Sequence, residues 1–174
     1  MGRILYRRFS VAVGWLNWLA VAVAAAILVF ITVAVAYEVF ARFVLRSPSR
    51  WTYEITGYAL VWCAFLSAGQ ALAQGAHVYV DILYDRLPAG LARMTNVLTA
   101  LVGLGFCGVI FWYGANMTYV ANLFGHQSPT PLRFPMEYAF AAVPVGMVFL
   151  ILEFLRRLLA EIFEPAGQVA EAGR

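Results

Sequence analysis

The 174-residue chain has no lysine; each of its 12 basic side chains is an arginine. Charge of either sign is scarce, at 12% of residues against about 25% in ordinary globular domains. So little charge gives no basic patch, which excludes nucleic acid as a partner. The two cysteines, Cys63 and Cys107, both fall inside apolar runs. A small buried hydrophobe is the commoner role for such residues, and no disulfide framework is indicated. The two histidines, His77 and His126, fall in connectors on opposite sides of the apolar runs, which excludes bis-histidine haem ligation within one chain. His77 and Asp81 make two ligands at most, short of a structural metal site. The expectation is a non-enzyme with no cofactor and no metal.

What the chain has instead is hydrophobicity, 63% of residues, gathered into four long runs. They predict an all-α integral membrane protein with four long, tilted transmembrane helices over residues 12–45, 51–74, 90–123 and 135–160. Each run reaches the roughly 17–25 residues needed to cross a hydrocarbon core. Residues 1–163 read as a single membrane domain and 164–174 as a disordered polar tail. Arg3, Arg7 and Arg8 before an apolar run resemble a secretory signal. That run is about 22 residues long, beyond the roughly 7–15 of a signal h-region, so it reads as an uncleaved first span. The first helical pattern would cover roughly 50 Å at ~1.5 Å per residue, against a core of about 30 Å. Such a helix must tilt or protrude.

Both termini then lie on one side. Counting arginines puts eight on that side and four opposite, so the positive-inside rule predicts cytoplasmic termini. In the first connector, Pro48 stops the helix and Ser49 is the expected N-cap of the second. In the second, His77, Asp81 and Asp85 recur at i, i+4 and i+8, which predicts a short interfacial segment with one polar face. The third, Gly125 to Pro131, is rich in turn residues and is expected to lie on the outer side.

A transport site would show as an ionisable residue deep in the bilayer. Glu38, Glu54, Glu137 and Glu153 all fall near helix ends. Glu38 has Arg42 one turn away, Glu54 has Arg50, and Glu153 has Arg157. The deep polar residues Asn17, Thr32, Ser67, Gln70, Thr99 and Asn116 are uncharged, and interhelical hydrogen bonds account for them. Pro144 with Gly146 is the one internal break, read as a kink. Small residues at Ala22/Ala26, Ala64/Ala68, Gly103, Gly105 and Gly108 suit close helix packing, internal or with a partner.

Four ordered features carry a resemblance. Arg42-Phe43-Val44 with Ser47 closes the first helix, and Trp51-x-x-Glu54 opens the second. Gly75-x-His77-Val78-x-Val80-Asp81 follows the second helix. Ser128-Pro129-x-Pro131-Leu132-x-x-Pro135 leads into Val143-Pro144-Val145-Gly146. Together they resemble the DctQ-like small membrane subunits of tripartite ATP-independent periplasmic (TRAP) transporters. Tyr53 and Ala73-Gln74 depart from the family pattern, where acidic and basic residues are common.

The resemblance implies a location in the bacterial inner membrane among lipids, with a large membrane subunit as heterodimer partner and a periplasmic binding protein as transient partner. It implies sodium-driven symport of an organic acid anion, with this chain as a non-catalytic brace. It also implies structural or partner-contact roles for Arg42, Arg50, Trp51, Glu54, His77, Asp81, Ser128, Pro131, Pro135, Pro144 and Gly146. Two other readings remain open at this point: a self-contained homodimeric transporter using Glu38 or Glu54, and a membrane anchor for another complex.

Overall fold

A computed structural model of the chain describes the backbone of residues 2–74 and 89–163, and the side chains of residues 6–74 and 94–161. Its helices are α1 (Gly2–Phe43), α2 (Thr52–Ala73), α3 (Ala89–Leu123), a short α4 (Met136–Phe140) and α5 (Ala142–Phe163). Four segments are long and apolar enough to cross a membrane: Tyr6–Phe43, Thr52–Ala73, Met94–Leu123 and Met136–Glu161. The all-α, four-span architecture is thus as expected. The interfacial segment with His77 and Asp81 lies outside the described residues, as does 164–174.

Helix α1 starts earlier than its apolar run suggests. Its 42 residues extend roughly 63 Å at ~1.5 Å per residue, about twice the thickness of a hydrocarbon core. One narrow stripe of it is buried: Val13, Asn17, Ala20, Ala24, Ala34 and Ala41. Ile27, Ile31 and Glu38 fill the gaps, half-buried. The steps alternate four and three, a 3.5-residue period that keeps one seam against a neighbour along a gently supercoiled path. Alanine dominates that seam because a small side chain lets two helix backbones approach in lipid. The alanines expected to do this, Ala22 and Ala26, are exposed. Helix α3 repeats the device, with Ala100, Cys107 and Ala121 buried on one face and Gly114 between them. Cys107 is the small buried hydrophobe anticipated.

Helix α5 is the hub. It packs against α1, α2 and α3, whereas α3 meets α4 and α5 and hardly touches α1 or α2. The spans therefore form an open layer around α5 rather than a closed square. Glycines set how tightly that layer closes. A Cβ added at Gly146 would come within 2.6 Å of the Phe65 Cβ and 2.8 Å of its carbonyl oxygen. A Cβ at Gly69 would meet Asn17 Oδ1 at 2.7 Å and the Phe149 Cβ at 2.9 Å. Gly103 gives its space to the Phe154 ring, while Gly105 has nothing within 4 Å.

Pro144 explains why the fourth span is split. Proline has no N–H for the Phe140 carbonyl, and its ring crowds that carbonyl, so the helix breaks between α4 and α5. Ala141 forms the joint, and its N–H still reaches the Glu137 carbonyl at 2.9 Å. Trp62 of α2 donates its indole N–H to the Tyr138 carbonyl at 2.9 Å. The internal break expected at Pro144 is present, and a neighbouring helix braces it.

Gly146→Ala is expected to lower the thermal unfolding temperature of the purified chain in detergent, by an overpacking cost of about 1–3 kcal/mol. Gly105→Ala, where a methyl meets nothing, is expected to raise it slightly through helix propensity.

Candidate functional site

The polar side chains of the spans gather into two clusters. One lies at the distal end, beside connectors 44–51 and 124–135. The other lies at the terminal end, toward the start of α1 and the close of α5.

At the distal end α1 closes with Arg46 in the left-handed region (φ 51°) and the Ser47 N–H returning to the Ala41 carbonyl at 3.1 Å. The Glu38 carboxylate then gathers the connector. It accepts from Arg42 at 3.0 Å, from the Ser49 N–H at 3.1 Å and from the Ser49 hydroxyl. The Ser49 hydroxyl also contacts that of Thr52. Ser49 is therefore not the N-cap of α2. That position falls to Trp51, which makes no side-chain cap. A hydrogen bond to a charged acceptor is roughly twice as strong as a neutral one, so Glu38 wins the serine. Trp51 stacks on Tyr37 with ring centroids 6.3 Å apart, tying the two helix ends together.

Glu54 is buried, and it does not pair with Arg50 as expected. It accepts from the Tyr58 hydroxyl at 2.9 Å and from the Thr130 hydroxyl of the third connector. That connector doubles back on itself. The Ser128 N–H meets the Phe134 carbonyl and the Met136 N–H meets the His126 carbonyl, both at 2.9 Å, with Gln127 opposite Pro135. Arg133 turns the tip at φ 48°. Ser128 is only 5% exposed and its hydroxyl lies 3.0 Å from that of Thr130, so it faces inward. Phe134 stacks on Tyr58 with centroids 5.0 Å apart. The sequence candidates Glu54 and Ser128 thus meet, while Pro131, Pro135 and Arg50 remain exposed.

The terminal cluster centres on Glu153, which is 0% exposed. The sequence suggests an ordinary i, i+4 pair with Arg157 near a helix end; the closer partner is Arg156. Its guanidinium lies 2.6 Å and 3.0 Å from the carboxylate, with Arg157 at 3.8 Å. Asn17 of α1 donates to the same carboxylate at 3.3 Å. Arg157 also donates to the Leu72 carbonyl, one of the orphan acceptors at the end of α2. One carboxylate thereby joins α1, α2 and α5. Further along, Asn96 of α3 donates to Glu161 of α5 at 2.7 Å.

Of the deep neutral residues, Asn17 makes the expected interhelical bond. Thr32 and Ser67 instead donate to carbonyls of their own helices, at 2.9 Å each. Thr99 and Asn116 are exposed. Asn17 and Glu38 share the buried seam of α1, separated by about 32 Å at ~1.5 Å per residue. That spacing is close to the thickness of a hydrocarbon core, about 30 Å, which suits the two clusters to its two boundaries. All five described carboxylates accept hydrogen bonds within the chain, Glu137 from Asn122. Among the described residues no three potential metal ligands come together.

These features define a class: a multi-pass membrane protein whose described carboxylates are all held by hydrogen bonds within its own fold. Residues 31–164 match the family model described as "Tripartite ATP-independent periplasmic transporters, DctQ component". The chain belongs to this family of TRAP transporter subunits. It is 32% identical over 107 residues to the C4-dicarboxylate TRAP transporter small permease protein of Rhodobacter capsulatus, covering 61% of this chain and 46% of that one. It is 26% identical to the ectoine TRAP transporter small permease protein of Halomonas elongata, covering 78% and 69%. It is 21% identical to the isethionate TRAP transporter permease protein DctMQ of Oleidesulfovibrio alaskensis, covering 64% of this chain and 18% of that one. The match thus spans less than half of the Rhodobacter protein and under a fifth of the Oleidesulfovibrio protein.

Glu153→Ala strands two arginines at the helix junction. It is expected to destabilise the chain by about 3 kcal/mol, the low end for a broken buried pair because both arginines keep some exposure. Thermal unfolding in detergent checks this, with Glu153→Gln expected to lose less because it retains the Asn17 contact.

Proposed function

We propose that the chain braces a large membrane subunit during sodium-driven, binding-protein-dependent uptake of an organic acid anion, without itself handling substrate or ion. The observation that carries this reading is the fate of the carboxylates. A coupling site needs an ionisable group free to exchange partners within the membrane. Here Glu38 is committed to Arg42 and Ser49, Glu54 to Tyr58 and Thr130, and Glu153 to Arg156 and Asn17. That counts against the self-contained transporter using Glu38 or Glu54.

The location proposed is the bacterial inner membrane with cytoplasmic termini, supported by the arginine distribution. The relatives are named for different solutes, a C4-dicarboxylate, isethionate and ectoine. This fits a small subunit that leaves substrate choice to other chains. Trp51, Glu54, Arg42 and Ser128 hold the distal end in shape, and the exposed prolines Pro131 and Pro135 face the side where a binding protein docks. Pro144 and Gly146 set the angle and closeness of α5. His77, Asp81 and Arg50 are assigned partner-contact or connector roles from the sequence alone.

Purified chain in liposomes is expected to give no uptake. Adding the large subunit, the binding protein and an inward sodium gradient is expected to restore it. Trp51→Ala is expected to lower uptake severalfold and leave the choice of substrate unchanged. Uptake by this chain alone, or a Trp51 variant that switches substrate, would overturn the bracing role.

A further inference from the structure

The outer faces of α1 and α3 are both uncovered, yet they are chemically unlike. Along α1, the exposed aromatics sit at the two boundaries. Trp15 and Trp18 flank Asn17, with rings 5.7 Å apart, and Tyr37 adjoins Glu38. Between them the exposed side chains are aliphatic or Phe30, and the hydroxyl of Thr32 is occupied by its own helix. Interfacial tryptophan and tyrosine around an apolar middle are what a lipid-facing helix presents.

On α3 an exposed Tyr119 lies near one boundary, but aromatic and polar groups are exposed in the middle as well. Cross-helix contacts fix the depth: Gly103 packs on Phe154, next to Glu153, and Asn122 bonds Glu137. The stretch between them is about 28 Å at ~1.5 Å per residue, and Trp112 lies about halfway. Trp112 and Tyr113 are 70% and 69% exposed, and Asn116, about 9 Å inside Asn122, is exposed on the next turn. Among the described residues none of the three side chains has a hydrogen-bond partner. An indole N–H, a phenol and a carboxamide at mid-membrane find neither water nor an acceptor among lipid tails. An interfacial belt cannot explain Trp112 and Tyr113, which lie near the centre, or Asn116, about 9 Å inside the boundary.

We infer that the outer face of α3, around Gly105, Val109, Trp112 and Asn116, is the surface that seats a transmembrane helix of the large permease subunit bearing hydrogen-bonding side chains, while the outer face of α1 stays in lipid. These four residues recur at i, i+4, i+7 and i+11, one stripe of the helix. Gly105 leaves open space for a backbone to come close. The large subunit is the occupant rather than a second copy because the family segment also matches only 18% of a longer permease protein, where small part and remainder share one chain. The inference rests on the proposed bracing role and adds which face performs it.

The test uses the co-expressed membrane complex, with the photo-crosslinker benzoylphenylalanine placed at Val109 of α3 or at Val29 of α1. Crosslinking to the large subunit from position 109 and not from 29 supports the assignment. Asn116→Leu is expected to reduce recovery of the large subunit roughly three- to thirtyfold, the range for one or two interhelical hydrogen bonds. The unfolding temperature of the isolated Asn116→Leu chain, unchanged or raised, shows that its fold is intact. Crosslinking from position 29 alone overturns the face and leaves the bracing role standing. A chain-to-chain crosslink at 109 overturns the occupant. Failure of the large subunit to co-purify with the unaltered chain overturns the bracing role itself.

Discussion

A polar group inside a bilayer has no water to fall back on, and this constraint shapes every described contact of consequence. The helices satisfy their own backbones. Side chains must find partners too, and the chain solves this by concentrating its carboxylates at two levels. Glu153 is the stricter case. A fully buried anion on the hub helix is tolerable only because two arginines and an asparagine converge on it. That convergence fixes the register of α1 against α5, and the Arg157 bond to Leu72 adds α2. Apolar seams of alanine could slide by a heptad; the Glu153 knot forbids it.

The distal cluster works differently. Glu54 and Glu38 gather hydroxyls and backbone N–H groups, and through them hold two connectors against the helix ends. Prolines make those connectors short of donors, so a carboxylate that accepts several bonds replaces the ladder a sheet or helix would supply. The Pro144 break fits the same scheme. It frees carbonyls on the fourth span, and Trp62 takes one of them.

Much of this was legible in the sequence. Four spans, the kink at Pro144 and the closing of α1 near Phe43 follow from run length and proline position. The heptad of Val13, Asn17, Ala20 and Ala24 was also there to be read, and it would have placed Asn17 on the buried seam. Only the local partners were legible. Spacing of one helical turn suggests Arg42 for Glu38 and Arg157 for Glu153, and both pairs are present, with Arg156 the closer cation on Glu153. Arg50 does not reach Glu54; Thr130 takes that place and Asn17 joins Glu153, from 76 and 136 residues away, because packing brings them in. Ser49 likewise spends its hydroxyl on Glu38 rather than on a cap.

The proposed bracing role calls for one rigid side and one adhesive side, and α3 offers both in a single helix. Its inner face carries Ala100, Cys107, Gly114 and Ala121 at seven-residue steps, pressed on α5. Its outer face carries Trp112, Tyr113 and Asn116, which cost free energy wherever lipid covers them. A helix that turned those groups toward lipid would gain by exchanging Asn116 for leucine. In the bracing role the same side chains are stabilised only once a neighbour arrives. The outer face of α1 has no such debt, and its length instead suits it to span the bilayer obliquely along the edge of the layer. Adhesion through α3 and lipid contact through α1 would place α5, with the Glu153 knot, between the load and the anchor.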